Sequence, residues 1–210
     1  MTNSEMDNGT TRDDLVQRVA LMETMIAEGR KSTARFGWIF VLWGVVDIAG
    51  IVWEYRRPGF RWIWPIVMVT GFVIQYAIFV VRRRTSRQVG SNSMQSRSIA
   101  AVWSMMGVTA LLYVAAAVVE NATGHIAFVA AILMFVGMAH ATSALILRWP
   151  AQGAVAVLWW AGGIATYVLS WEYFLSIFVG EMFFGMIAFG LYGMWLDRQQ
   201  EQGGRASAHA

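Results

Sequence analysis

Residues 36–53 read Phe-Gly-Trp-Ile-Phe-Val-Leu-Trp-Gly-Val-Val-Asp-Ile-Ala-Gly-Ile-Val-Trp, with Asp47 the single ionisable side chain. As a helix at 1.5 Å rise per residue, this stretch is about 27 Å long, close to the roughly 30 Å hydrocarbon core of a bilayer. Five more stretches of the same kind follow, near 61–81, 99–119, 126–147, 151–170 and 174–196. Hydrophobic residues make up 57% of the chain and charged residues 14%, against about 25% charged in soluble domains. The fold class expected is all-α: a polytopic membrane protein with six transmembrane helices in one domain, 36–196.

The linkers alternate in character. Glu54–Phe60, Glu120–His125 and Trp171–Tyr173 are tight turns, so the spans are expected to pair as three antiparallel hairpins, 1/2, 3/4 and 5/6. Orientation follows the Lys/Arg bias. With the N-terminus inside, thirteen of the sixteen Lys and Arg residues fall on the cytoplasmic side, and only Arg56, Arg57 and Arg61 fall outside. The expected topology is N-in/C-in, with 197–210 a cytoplasmic tail. The acidic, polar start lacks an apolar signal-peptide core, so span 1 is expected to serve as its own insertion signal. Trp38, Trp53, Trp62, Trp64, Trp149, Trp171 and Trp195 lie at span ends, at headgroup level. Val41-Leu42-Trp43-Gly44 and Val157-Leu158-Trp159-Trp160 each run on to a Trp-Glu-Tyr triplet, at Trp53 and Trp171. Either the hairpins are parallel repeats, or every outward end has converged on tryptophan and a charge.

Ahead of the spans, residues 1–10 read as disordered and 11–35 as an amphipathic cytoplasmic helix. Leu15, Val19, Met22, Ile26, Gly29, Thr33 and Phe36 alternate at four and three. Gly29 and Thr33 are weak seam positions, so docking of Leu15, Val19, Met22 and Ile26 on the membrane or the bundle is favoured over a coiled-coil dimer.

Three ionisable residues lie within spans: Asp47, His140 and Glu181. Each costs about 2.5–3.5 kcal/mol at a helix centre on insertion scales, so each is a functional candidate by default. Asp47 and Glu181 both sit about 10 Å below the outer surface, beside small residues that let helices approach. Two such carboxyls could share a proton or bind a cation, or serve as interhelical hydrogen-bonding groups. His140 lies in the inner half with Gln75 of span 2 at similar depth, and as a lone histidine it reads first as an interhelical hydrogen bonder. Asp47, Glu181, His140 and Gln75 form the expected substrate- or ion-binding set.

Much chemistry is excluded. Without cysteine there is no thiol catalysis, Fe–S cluster or Cys-ligated zinc. No His-Glu-x-x-His, Gly-x-Ser-x-Gly or phosphate-binding glycine loop occurs. His125 and His140 are about 22 Å apart along one helix and cannot clamp one haem. No cofactor or metal is expected, and an enzyme is the least favoured class. The net charge of +3 follows topology, so nucleic acid is not an expected partner. The expected partners are the lipid bilayer and either a second copy or a cytoplasmic protein.

The passage Arg30-Lys31-Ser32 leading to Gly37-Trp38-Ile39-Phe40-Val41-Leu42-Trp43-Gly44 resembles the start of small, uncharacterised bacterial membrane proteins, in which an amphipathic helix enters a span containing Leu-Trp-Gly. The resemblance implies a multi-pass protein of the bacterial inner membrane and carries over no functional residue. The residues favour a small transporter or channel-like binding protein using the intramembrane acids. The alternative is a non-catalytic scaffold or sensor that binds a partner through its cytoplasmic helix.

Overall fold

Helix follows helix with little between them. The structure, a computed structural model, describes residues 3–60, 62–85, 94–120, 125–169 and 171–208. Its helices are α1 Asn3–Arg35, α2 Gly37–Arg56, α3 Ile63–Thr85, α4 Met94–Glu120, α5 His125–Leu147, α6 Pro150–Val168, α7 Trp171–Glu181 and α8 Phe189–Ala208. A π-helical segment, Met182–Ala188, joins α7 to α8. At the other end of the chain, the Phe36 amide donates to Ser32 O at 3.2 Å and Thr33 O at 3.1 Å, and Ile39 N–H donates to Phe36 O at 2.9 Å. Helix α1 therefore passes into α2 with hydrogen bonding maintained, and the elements string into six rods.

Five rods contain stretches long and apolar enough to cross a membrane: Asp14–Arg56, Ile63–Arg82, Arg97–Ala116, Val129–Leu147 and Glu172–Gln200. The stretch expected as span 5 is helical but falls outside that set. Gln152, three glycines, the Trp159-Trp160 pair, Thr166 and Tyr167 dilute the hydropathy of α6. Gln152 and Trp159 are completely buried, and a helix face turned into protein need not be as apolar as one turned to lipid. A second difference lies at the amino end. Residues 3–10, expected as disordered, belong to α1, and no proline interrupts them. The tail is helical as well, since α8 runs to Ala208.

Local chemistry sets the turns. Arg57-Pro58-Gly59-Phe60 has proline where a type II turn wants a fixed φ and glycine where it wants a positive one. Gly59 has φ +87°, and Phe60 N–H reaches Arg57 O at 3.4 Å. At the end of α5, Trp149 N–H donates to Ala144 O at 3.0 Å and Arg148 N–H to Leu145 O at 3.4 Å, the two bonds of a Schellman motif. Arg148 takes the left-handed position at φ +48°, and Pro150 then opens α6, where its missing N–H is no loss.

Neighbours in sequence pack together: α2 on α3, α4 on α5 and α6 on α7. The most intimate pair is α5 with α6, which the expected 1/2, 3/4, 5/6 pairing leaves apart. A Cβ on Gly153 would meet Ala144, one on Gly137 would meet Trp160 and Trp159, and one on Gly163 would meet Met134. One set of numbers rises as the other falls, so the pair is antiparallel. Helix α2 runs antiparallel to the π segment and α8 by the same logic. Gly37 meets the backbone of Gly190, Gly44 meets Met186 and Ile187, and just outside the apolar core Gly193 meets Ala34 of α1. These small residues let the backbones of neighbouring helices approach closely. Helices α3 and α4 flank this core; within the most apolar 18 residues of each, 17% and 11% are buried, against 44% for α5.

Candidate functional site

Asp47, Glu181 and His140 are all buried, at 8%, 4% and 0% exposure. The register that sets Gly37 against Gly190 and Ala34 against Gly193 continues to place Asp47 level, within a turn, with Gly180 and Glu181. The Glu181 side chain turns onto α6: its Cγ and Oε1 occupy the space where a Cβ on Gly162 would stand. Glycine at 162 is thus the vacancy that admits the carboxyl group. Asp47 Oδ1 and Glu181 Oε2 are buried without a protein hydrogen-bond partner.

Closer to the end that carries Arg30 and Arg148 lies His140. Phe40, its neighbour on α2, is seven residues from Asp47, about 10 Å along the helix. The imidazole is enclosed by rings. Trp103 is 4.9 Å away edge-on, Phe189 5.3 Å away edge-on and Phe40 5.5 Å away stacked, while Trp159 lies nearly parallel at 6.3 Å. Neither imidazole nitrogen has a protein hydrogen-bond partner, which corrects the reading of His140 as an interhelical hydrogen bonder. Aromatic side chains fill the volume where a polar neighbour would have to stand. One turn further, Ser143 Oγ is fully buried and unpartnered, as is the whole Gln152 amide on the antiparallel helix; Trp103 Nε1 and Trp159 Nε1 are unpartnered as well. Trp159 connects the two levels, since its indole fills the space a Cβ on Gly185 would need. Buried polar groups in proteins are almost all satisfied. A file of them from Asp47 and Glu181 through His140 to Ser143 and Gln152 is therefore the most unusual feature of the interior. Among the described residues, no three His, Asp or Glu side chains gather as a metal site.

Gln75 is not part of this file. It accepts a hydrogen bond from Trp43 Nε1 at 2.6 Å and lines an open groove between α2 and α3. The expected set thus divides, with three residues inside and one on the flank.

The docking residues divide too. Leu15, Val19 and Met22 are exposed at 57%, 51% and 54% and Ile26 is half-buried, whereas Gly29, Thr33 and Ala34 are buried. Helix α1 meets α4 and α8, with Ala34 against Gly193 of α8. It is tied down by Arg30, whose Nε donates to Leu147 O at 2.7 Å and whose Nη2 donates to Arg148 O. A guanidinium there supplies donors to carbonyls left open at the end of α5 and complements its dipole.

Sequence reasoning passes over Arg30, Ser143, Gln152 and the π segment. Ser143 and Gln152 carry a weak signal, as polar residues one turn and one hairpin away from His140. Arg30 reads as one basic residue among many. No protein-family model, curated protein or solved structure matches the chain.

Proposed function

We propose that the protein is a six-span transporter or channel-like protein of a bacterial inner membrane, paired as three hairpins with both termini cytoplasmic, that moves protons or a small cation. Asp47 and Glu181 form the outer station, and His140, Ser143 and Gln152 form the inward steps. The observation that supports this reading is the file of buried polar atoms with no protein partner. An unsatisfied buried group costs about 1–3 kcal/mol, and an ionisable group in a membrane interior is by default a candidate for an ion path or proton relay. Water or a cation entering the file would meet two carboxyls, then an imidazole, a hydroxyl and an amide.

The test is flux in proteoliposomes under a potassium diffusion potential, read with an internal pH dye and separately with sodium- and potassium-sensitive dyes. One of these ions should move. Asp47→Asn and Glu181→Gln should each lower that flux at least tenfold while the purified protein stays helical and monodisperse. Absence of flux for all three ions, or unaltered flux in both variants, ends the reading. Orientation has its own test in this cysteine-free chain. Gly59→Cys should react with an impermeant maleimide on intact cells, and Ser91→Cys should not.

A scaffold or sensor is the second reading. It draws on the exposed Leu15, Val19 and Met22, an apolar stripe available to a partner protein or to the membrane surface. It gains ground if triple replacement of these residues by serine abolishes a co-purifying partner and leaves no flux to lose.

A further inference from the structure

The groove between α2 and α3 is the second place where polar and apolar groups are arranged in order. It is open on one side, offers about 470 Å³ and is lined by Trp38, Ile39, Phe72, Gln75, Tyr76 and Phe79. On α3 the lining residues recur at three- and four-residue spacing, so they form one stripe. Three residues beyond Phe79 the stripe reaches Arg82, whose guanidinium carbon stands 5.1 Å from the centroid of the Trp38 ring. The groove therefore has a cation and an indole at one end and phenyl rings at the other. From Phe72 to Arg82 is ten residues, about 15 Å of helix, which is half of a roughly 30 Å hydrocarbon core and so the depth of one leaflet.

We propose that this groove binds one anionic glycerophospholipid. An acyl chain lies along Phe79, Tyr76 and Phe72, and the headgroup phosphate sits at Arg82. Gln75 directs its carbonyl to Trp43, and seven residues, about 10 Å, below Arg82 it lies beside the acyl chain. The match in length to a single leaflet selects a lipid chain over a peptide. Arg82 at the Trp38 end selects a headgroup of net negative charge, since a basic residue near an anionic surface favours binding about fivefold. The proposal rests on the membrane reading alone and is independent of the ion path.

The experiment uses the full chain in a neutral detergent. It is titrated with dioleoyl-phosphatidylglycerol, dioleoyl-phosphatidylcholine or glycerol phosphate, and bound lipid is counted by native mass spectrometry. One phosphatidylglycerol should be retained at about fivefold lower concentration than phosphatidylcholine. Arg82→Gln should remove that difference. Ile39→Trp, which fills the groove, should lower retention of both lipids, and Arg18→Gln on exposed α1 should change neither. Equal retention of the two lipids by the unaltered protein overturns the proposal. So does binding of glycerol phosphate as tight as that of the lipid, or unchanged selectivity in Arg82→Gln.

Discussion

Along α2 and α8, glycine brings backbone against backbone: a Cβ on Gly190 would lie 2.5 Å from the carbonyl oxygen of Gly37 and 3.0 Å from Val41 N. Along α5 and α6, glycine receives side chains instead, the indole of Trp160 at Gly137 and the thioether of Met134 at Gly163. The first seam can give only by moving helices, the second by turning a side chain. Each seam holds its polar groups accordingly. Asp47 and Glu181 flank the rigid seam, at a level fixed by main chain. His140, Ser143 and Gln152 lie on the adaptable seam, with aromatic rings enclosing His140.

Four measurements by thermal unfolding in detergent would break or sharpen this contrast. Gly190→Ala should be the most damaging, at about 3 kcal/mol or more, because overpacking against backbone cannot be relieved by a rotamer. A loss under about 1 kcal/mol would mean the two helices slide freely and the seam is not rigid. Arg30→Ala should come next, at about 2 kcal/mol, the range for a charge-assisted hydrogen bond whose acceptors are left open; Arg30→Lys should recover part of it. If Arg30→Ala is silent, α1 is held by Gly29, Thr33 and Ala34 alone. Gly137→Ala should cost no more than about 1 kcal/mol. Trp160 is 38% exposed and can swing outward, and alanine adds helix propensity of similar size. A cost equal to that of Gly190→Ala would erase the distinction between the seams. His140→Phe should have the smallest effect on stability, within about 1 kcal/mol of zero, because it removes two unpartnered nitrogens and keeps the ring in its cage. Its effect on flux should nonetheless match that of Asp47→Asn. Stability and flux lost together would make His140 a packing residue.

The helices were legible because a long apolar run of membrane length is a simple signal, and the described helices α2, α3 and α5 lie within a few residues of the runs at 36–53, 61–81 and 126–147. Helix α6 was legible as a helix but not as the interior partner of α5, since periodicity does not say which neighbour a face meets. Asp47, Glu181 and His140 stood out because charge in a span is rare. Gln75, at similar depth to His140, was grouped with it although α3 turns it to the flank, where depth along a helix carries no information about azimuth. Arg30 was invisible for a different reason: its acceptors are backbone carbonyls 117 and 118 residues away, and no side-chain pattern marks them.

The π-helical segment Met182–Ala188 separates two α-helical stretches, so their residues are not in phase around a common axis. Every side chain before the segment points where it does relative to α8 because of that offset. Removing one residue from the segment would turn α7 by about 100° relative to α8 and carry the Glu181 carboxyl off Gly162. The aim of this acid is thus a property of seven residues that follow it, and an alignment column at position 181 would record only half of what places it.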